Sequence, residues 1–310
     1  MNELDAVRLN FTPESLVVLD VILAFVLFGV ALDMRVQDFK GILVAQRGTL
    51  IGLFAHSVLL PAVAWALTMV LQPSPSIALG MILVASCPSG NISNFLVNHA
   101  HGNTALSVTI AAFSMLGAIV FTPFNLSFWG NLNPATRPIL HAVTLDPAEV
   151  FGTIVVLLGI PTVLGMWVAH RWPRFAGRAR KTFRRLSLAF FVVFVLGALV
   201  ANWDFFLTYV GRVVLFVFLL NAFALLTGYY TARAARLAEP DRRAVAFEVG
   251  IQNSGFGLVL VFNFFGGLGG MAIVAAWWGI WHILVGTTLA SIWRRFPPAT
   301  PASNPAEAAA

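Results

Sequence analysis

Phe247-Glu248-Val249-Gly250-Ile251-Gln252-Asn253-Ser254-Gly255 lies inside an apolar run long enough to cross a membrane. An ionisable group at that depth is costly and normally faces a polar cavity, a partner or an ion, so Glu248 marks function. Cys87-Pro88-Ser89-Gly90-Asn91-Ile92-Ser93-Asn94 interrupts an earlier hydrophobic stretch in the same manner, with Gly, Pro and small oxygen-bearing side chains. Two interrupted spans at comparable places in the two halves of a chain point to the ion and substrate site of a secondary transporter.

The rest of the chain agrees with a membrane setting. Of its 310 residues 59% are hydrophobic and 10% charged, with a mean hydropathy of +0.85, whereas soluble domains are about 25% charged. The net charge of +6 comes from short Lys/Arg clusters between apolar runs. No aromatic-interleaved basic groove accompanies them, so nucleic acid is not the expected partner. The single cysteine, Cys87, excludes an internal disulfide and a cysteine-based metal site, and reads as a small apolar filler. The N-terminus is acidic and its first apolar run lacks a small-residue cleavage site, which predicts a mature span rather than a signal peptide. Residues 297–310 are Pro/Ala-rich and are expected to be a disordered tail.

A span needs roughly 20 mostly apolar residues. On that measure the sequence predicts an all-α polytopic membrane protein of about nine transmembrane helices, near 14–33, 42–71, 76–100, 103–123, 149–170, 185–203, 206–232, 243–266 and 270–293. Lys and Arg concentrate in cytoplasmic loops. With the N-terminus outside and the C-terminus inside, 16 of the 19 basic residues are cytoplasmic, leaving Arg8, Arg137 and Arg212 outside. The connection 124–148, containing Trp129, is expected as an outer interfacial cap, and Gly266-Gly267-Leu268-Gly269-Gly270 as the outer turn before the last span. The polar islands fall in the third and eighth spans. Matching spans 1–4 with 6–9 gives an offset of five and hence an inverted repeat, in which two broken helices cross and shelter each other's backbone.

At these residues the chain resembles the bile acid:sodium symporter family, in its nine-helix bacterial form. Beyond the two islands, the resemblance rests on Gly102-Asn103-Thr104-Ala105-Leu106-Ser107-Val108 and on Trp281-His282 in the last span. It implies one transporter unit, with a core of about 42–123 and 206–294, a panel of about 14–33 and 149–203, and substrate in the cleft between them. One implied sodium site uses Ser93, Asn94, Ser107 and Glu248; the other uses Glu248, Gln252 and the main-chain carbonyls of Val249 and Ile251. Asn253 and His282 are the substrate-binding candidates. The chemistry is consistent: a hard cation wants oxygen ligands, and unwound backbone supplies carbonyls.

The sequence departs from the family at two ligand positions. Ala111 stands where the first site usually has a threonine, and His56 where the second usually has a glutamine. Ala111 removes an oxygen, with Thr109 or Ser114 as candidate compensators. His56 reads either as a satisfied packing histidine or as a coupling group, since an unperturbed imidazole titrates near pH 6.5. Asp20 in the first span reaches water on this reading, while the role of Arg212 stays open. The expected function is sodium-driven symport, by alternating access, of an organic anion such as a bile acid, a sulfated steroid or a small carboxylate. The alternatives are proton-coupled or ion-independent transport on the same fold and, more remotely, a membrane sensor or an intramembrane hydrolase. No cofactor is expected beyond sodium as coupling ion, with a proton as the alternative. The expected setting is a bacterial cytoplasmic membrane, with the lipid bilayer around a monomer.

Overall fold

The computed structural model describes residues 5, 13–32, 46–90, 92–142, 152–201 and 203–298. The acidic N-terminal residues other than Asp5, Asn91 and most of the expected tail lie outside the described residues. Helices account for nearly all of the described chain, and the only β-type pairing among them is a single antiparallel bridge between Ser89 and Gln252. In chain order the helices are α1 (Pro13–Ala31), α2 (Gln46–Phe54), α3 (Leu60–Leu71), α4 (Pro75–Ser86), α5 (Ser93–His99), α6 (Thr104–Leu132) and α7 (Arg137–Ala142). They continue with α8 (Ile160–Arg171), α9 (Pro173–Ala201), α10 (Trp203–Ala234), α11 (Glu239–Gly250), α12 (Ser254–Phe265) and α13 (Gly269–Arg294).

Among the described residues, five helical stretches are long and apolar enough to cross a membrane: Arg47–Leu71, Thr104–Leu132, Gly152–Arg171, Leu207–Ala234 and Gly269–Arg294. Val17–Gly29, Pro75–Ser86 and Ser254–Phe265 are shorter apolar helices. A helix of 12 residues covers only about 18 Å, so α4 and α12 need α5 and α11 as their other halves.

Two features differ from the sequence expectation. Residues 124–142 of the expected connection are largely helical: α6 runs on through Pro123 to Leu132, and α7 follows after a short turn at Asn133, while 143–148 lie outside the described residues. The basic stretch before 185 is helical as well, being the first part of α9. The turn expected at Gly266 is present, with Gly266 and Gly267 at φ of 54° and 68°, a left-handed geometry that suits glycine at the end of α12.

The α2–α3 helix contains a π segment, Ala55–Leu59, in which the Leu60 N–H reaches the Ala55 carbonyl. Pro61 causes part of this, because it has no N–H to offer the Ser57 carbonyl one turn back. Asn125 of α6 supplies the missing donor, at 2.9 Å from that oxygen. Helix Ile160–Arg171 repeats the device, with a π segment at Val155–Gly159 followed by Pro161. Such bulges mark functional sites more often than chance, and the first one carries His56.

Close helix approach depends on small residues, as expected where lipid removes the hydrophobic drive for helices to associate. A methyl group at Gly228 of α10 would lie 2.6 Å from the Val245 carbonyl oxygen of α11. Helix α4 packs on α13, and α1 packs on α8 and α9, with Phe25 stacked on Phe183 at 4.8 Å between ring centroids.

Candidate ion and substrate site

Both polar islands are breaks between half-helices, and they meet. Helix α4 ends at Ser86, Cys87 is extended, and α5 begins at Ser93. Helix α11 ends at Gly250, Ile251 is extended, and α12 begins at Ser254 under an Asn253 side-chain cap that accepts from the Phe256 N–H at 3.1 Å. The freed backbone groups then pair across the crossing: Gly90 N–H donates to the Ile251 carbonyl at 2.7 Å, and Asn253 N–H to the Pro88 carbonyl at 2.8 Å. Gly90 permits this approach, since a Cβ there would sit 3.0 Å from the Gln252 carbonyl oxygen. Thr122 of α6 caps the end of α4 by donating to the Ser86 carbonyl at 2.7 Å. Broken helices survive at membrane depth only with such internal partners.

Glu248 sits in the last turn of α11, fully buried. Its carboxylate receives three serine hydroxyls: Ser89 at 2.5 Å on Oε2, and Ser93 at 2.6 Å and Ser107 at 2.5 Å on Oε1. Ser107 Oγ is also 2.7 Å from Asn94 Oδ1. A hydroxyl has one proton, so Ser107 cannot donate to Asn94 and Glu248 at once. Oxygens therefore outnumber protons where α5, α6 and α11 converge. This donor set fits a hard cation, which needs acceptors only.

A second cluster lies around the backbone of the same residue. His56 Nδ1 is 3.1 Å from the Glu248 carbonyl oxygen and 3.4 Å from Gln252 Nε2. Gln252 Nε2 also donates to the Val249 carbonyl at 2.7 Å, while Gln252 Oε1 is buried with no hydrogen-bond partner among the described residues. The Ile251 carbonyl is engaged by Gly90. Here N–H donors already point at the Glu248 and Val249 carbonyls, so the fit to a cation is poor apart from Gln252 Oε1.

The structure thus brings together Ser93, Asn94, Ser107, Glu248, Val249, Ile251, Gln252 and His56. It adds Ser89, which the sequence reading quoted in the motif but did not assign to the site. Ser114, one of the two candidate compensators, donates to the Ala111 carbonyl at 3.0 Å and accepts from Ser89 N–H at 3.2 Å, bracing the island rather than the carboxylate. Thr109 donates to the Ala105 carbonyl at 2.9 Å. Ser114 also lines a small cavity with His56, Ser57, Cys87 and Asn125. Asn253 Nδ2 has no partner among the described residues, and neither does Nδ1 of the buried His282, whose ring stands edge-on to Trp278 at 6.1 Å. Asp20 is half-buried, and its Oδ1 accepts from Asn263 Nδ2 of α12 at 2.9 Å in an exposed hydrogen bond. Arg212 lies over the Tyr209 ring at 5.4 Å.

An all-helical, multi-pass membrane protein with an oxygen-lined carboxylate at the crossing of two broken helices belongs to the class of ion-coupled transporters, which are not enzymes. Comparison with known proteins agrees. Residues 20–208 match the sodium bile acid symporter family, and the chain belongs to that family. It is 30% identical over 275 residues to an uncharacterized sodium-dependent transporter of Bacillus subtilis, covering 89% of this chain and 82% of that protein. It is 26% identical over 276 residues to a probable chloroplast sodium/metabolite cotransporter of Arabidopsis thaliana, covering 89% of this chain and 66% of that protein. The human ileal sodium/bile acid cotransporter is 27% identical over 241 residues, with 76% of this chain and 66% of that protein covered.

Proposed function

We propose that the chain is a sodium-driven symporter of an organic anion, such as a bile acid, a sulfated steroid or a small carboxylate, working by alternating access. The observation that carries this reading is the excess of oxygens over protons around Glu248, which a sodium ion held by Ser93, Asn94, Ser107 and Glu248 balances. The half-helices add to it. The C-terminal ends of α4 and α11 direct carbonyls and partial negative charge at the crossing, which favours a cation. Asn253 Nδ2 and the N-terminal end of α12 offer donors to an anionic group of the substrate, and His282 is the second substrate contact. The relatives named as sodium/bile acid and sodium/metabolite cotransporters support the choice of an organic anion.

In this reading nine spans form an inverted repeat, with α1, α8 and α9 as the panel and the broken helices within the core. The Asp20 to Asn263 hydrogen bond joins α1 of the panel to α12 of the core. The protein lies in a cytoplasmic membrane with its C-terminus inside, so a C-terminal reporter that works only in the cytoplasm is active. His56 displaces the second ion, which gives one sodium per cycle rather than two. Proton coupling on the same fold is the alternative. The test is uptake of labelled taurocholate and of small carboxylates into proteoliposomes, with the inward sodium gradient replaced by potassium, by choline or by a pH gradient. Accumulation that stops without sodium is the expected result, and accumulation indifferent to sodium overturns the reading.

A further inference from the structure

Helix α9 starts with a charged face that transport does not use. Between Glu149 and Asp204 the sequence has no acidic residue but seven basic ones: Arg171, Arg174, Arg178, Arg180, Lys181, Arg184 and Arg185. The positive-inside rule accounts for an excess of Lys and Arg near a span end. It does not account for their spacing. Arg174, Arg178, Lys181 and Arg185 recur at steps of four, three and four, which at 3.6 residues per turn places them on one stripe roughly 16 Å long. Arg174, Arg178 and Arg185 are exposed and have no ion-pair partner among the described residues.

The opposite face of the helix is occupied. Ala176 is fully buried, Phe183 stacks on Phe25 of α1, and Phe190 meets the same ring edge-on at 5.5 Å. About half a turn separates these residues from the stripe, so packing on α1 turns the stripe outward. Exposed aromatics adjoin it where α8 ends and α9 begins: Trp167, Trp172 and Phe175 are 53%, 47% and 56% exposed, with Trp167 and Trp172 edge-on at 5.0 Å. Aromatic rings beside a basic stripe at the end of a span match the boundary between acyl chains and headgroups.

We propose that this face of α9 binds the phosphate headgroups of anionic membrane lipids, with the aromatic group at the α8–α9 elbow seated among the acyl chains. The charge is complementary, Arg174, Arg178 and Arg185 have no ion-pair partner among the described residues, and the segment continues directly into the apolar part of α9. A cluster of four to eight basic residues beside a span is the expected form of such a site. The binding is independent of which ion or substrate the protein carries.

The test is thermal unfolding of the purified chain in neutral detergent, titrated with phosphatidylglycerol, with phosphatidylcholine or with inorganic phosphate. The expected result is a saturable rise in Tm with phosphatidylglycerol alone, since a ligand of the folded state stabilises it by mass action. In Arg174→Gln/Arg178→Gln/Arg185→Gln the half-maximal phosphatidylglycerol concentration rises on the order of 100-fold, from about fivefold per charge. Arg174→Lys/Arg178→Lys/Arg185→Lys retains the response, which separates lost charge from lost folding. An equal rise with phosphatidylcholine, a rise with phosphate alone, or a full response in the glutamine variant each overturns the proposal.

Discussion

Glu248 anchors two clusters that differ in one respect. Around its carboxylate, Ser89, Ser93, Ser107 and Asn94 leave more oxygens than protons. Around its backbone, His56 and the Gln252 amide bring N–H groups to the carbonyls of Glu248 and Val249. Two sites on one residue can therefore diverge by local hydrogen-bond supply alone. A cation belongs where acceptors exceed donors, and proximity to a carboxylate is not sufficient.

The largest expected effect comes from the group common to both. Glu248→Gln keeps the shape but removes the counter-charge, and an unneutralised cation in a low-dielectric site is strongly disfavoured. Sodium-driven uptake by folded protein falls by roughly tenfold or more, equal to about 1.4 kcal/mol or more. Near-normal uptake would erase the comparison at its root.

Ser107→Ala then separates the clusters. It removes a ligand from the carboxylate side only, and a hydrogen bond to a charged group contributes about 1.5–3 kcal/mol. The sodium concentration for half-maximal uptake rises at least several-fold, while His56→Ala leaves it nearly unchanged. Equal responses of the two variants would show that the clusters work as one site.

Restoring an oxygen on each side is the sharpening experiment: His56→Gln acts on the backbone side and Ala111→Thr on the carboxylate side. In the His56→Gln/Ala111→Thr double variant, the Hill coefficient for sodium moves from about 1 toward 2, the site count setting the ceiling. A wild-type coefficient already near 2 would mean that His56 does not displace an ion.

The smallest effect concerns the support of His56. Asn125→Leu leaves the Ser57 carbonyl beside the π segment without its donor. An interhelical hydrogen bond in a membrane is worth about 0.6 kcal/mol on average, which lowers Tm by about 1 °C for a chain of this length. Uptake stays within about twofold. A large loss of uptake at unchanged Tm would show that the π segment positions His56 for the cycle itself.

Much of this site was legible in the sequence. Glu248 stood out because a carboxylate in an apolar run has few innocent explanations, and Gly90, Pro88, Gly250 and Asn253 marked the breaks because they interrupt helices for known reasons. The role of Ser89 was not legible. It lies four residues before Ser93 with the helix break between them, so neither a helical nor a strand period relates the two side chains. The length of α6 was misread at Pro123, since proline usually ends a helix but is tolerated within a membrane span when neighbours supply partners. The consequence of His56 was open for the same reason that Ser89 was missed: its partners lie more than 190 residues away.

Composition and periodicity by themselves determined that the chain is a helical membrane protein with two interrupted spans and a buried acid, because water, lipid and backbone geometry act on each segment locally. Only the tertiary structure decided which oxygens share which protons. Hydrogen-bond supply at the crossing is a property of side chains from α2–α3, α4–α5, α6 and α11–α12 taken together, and no single segment carries that information.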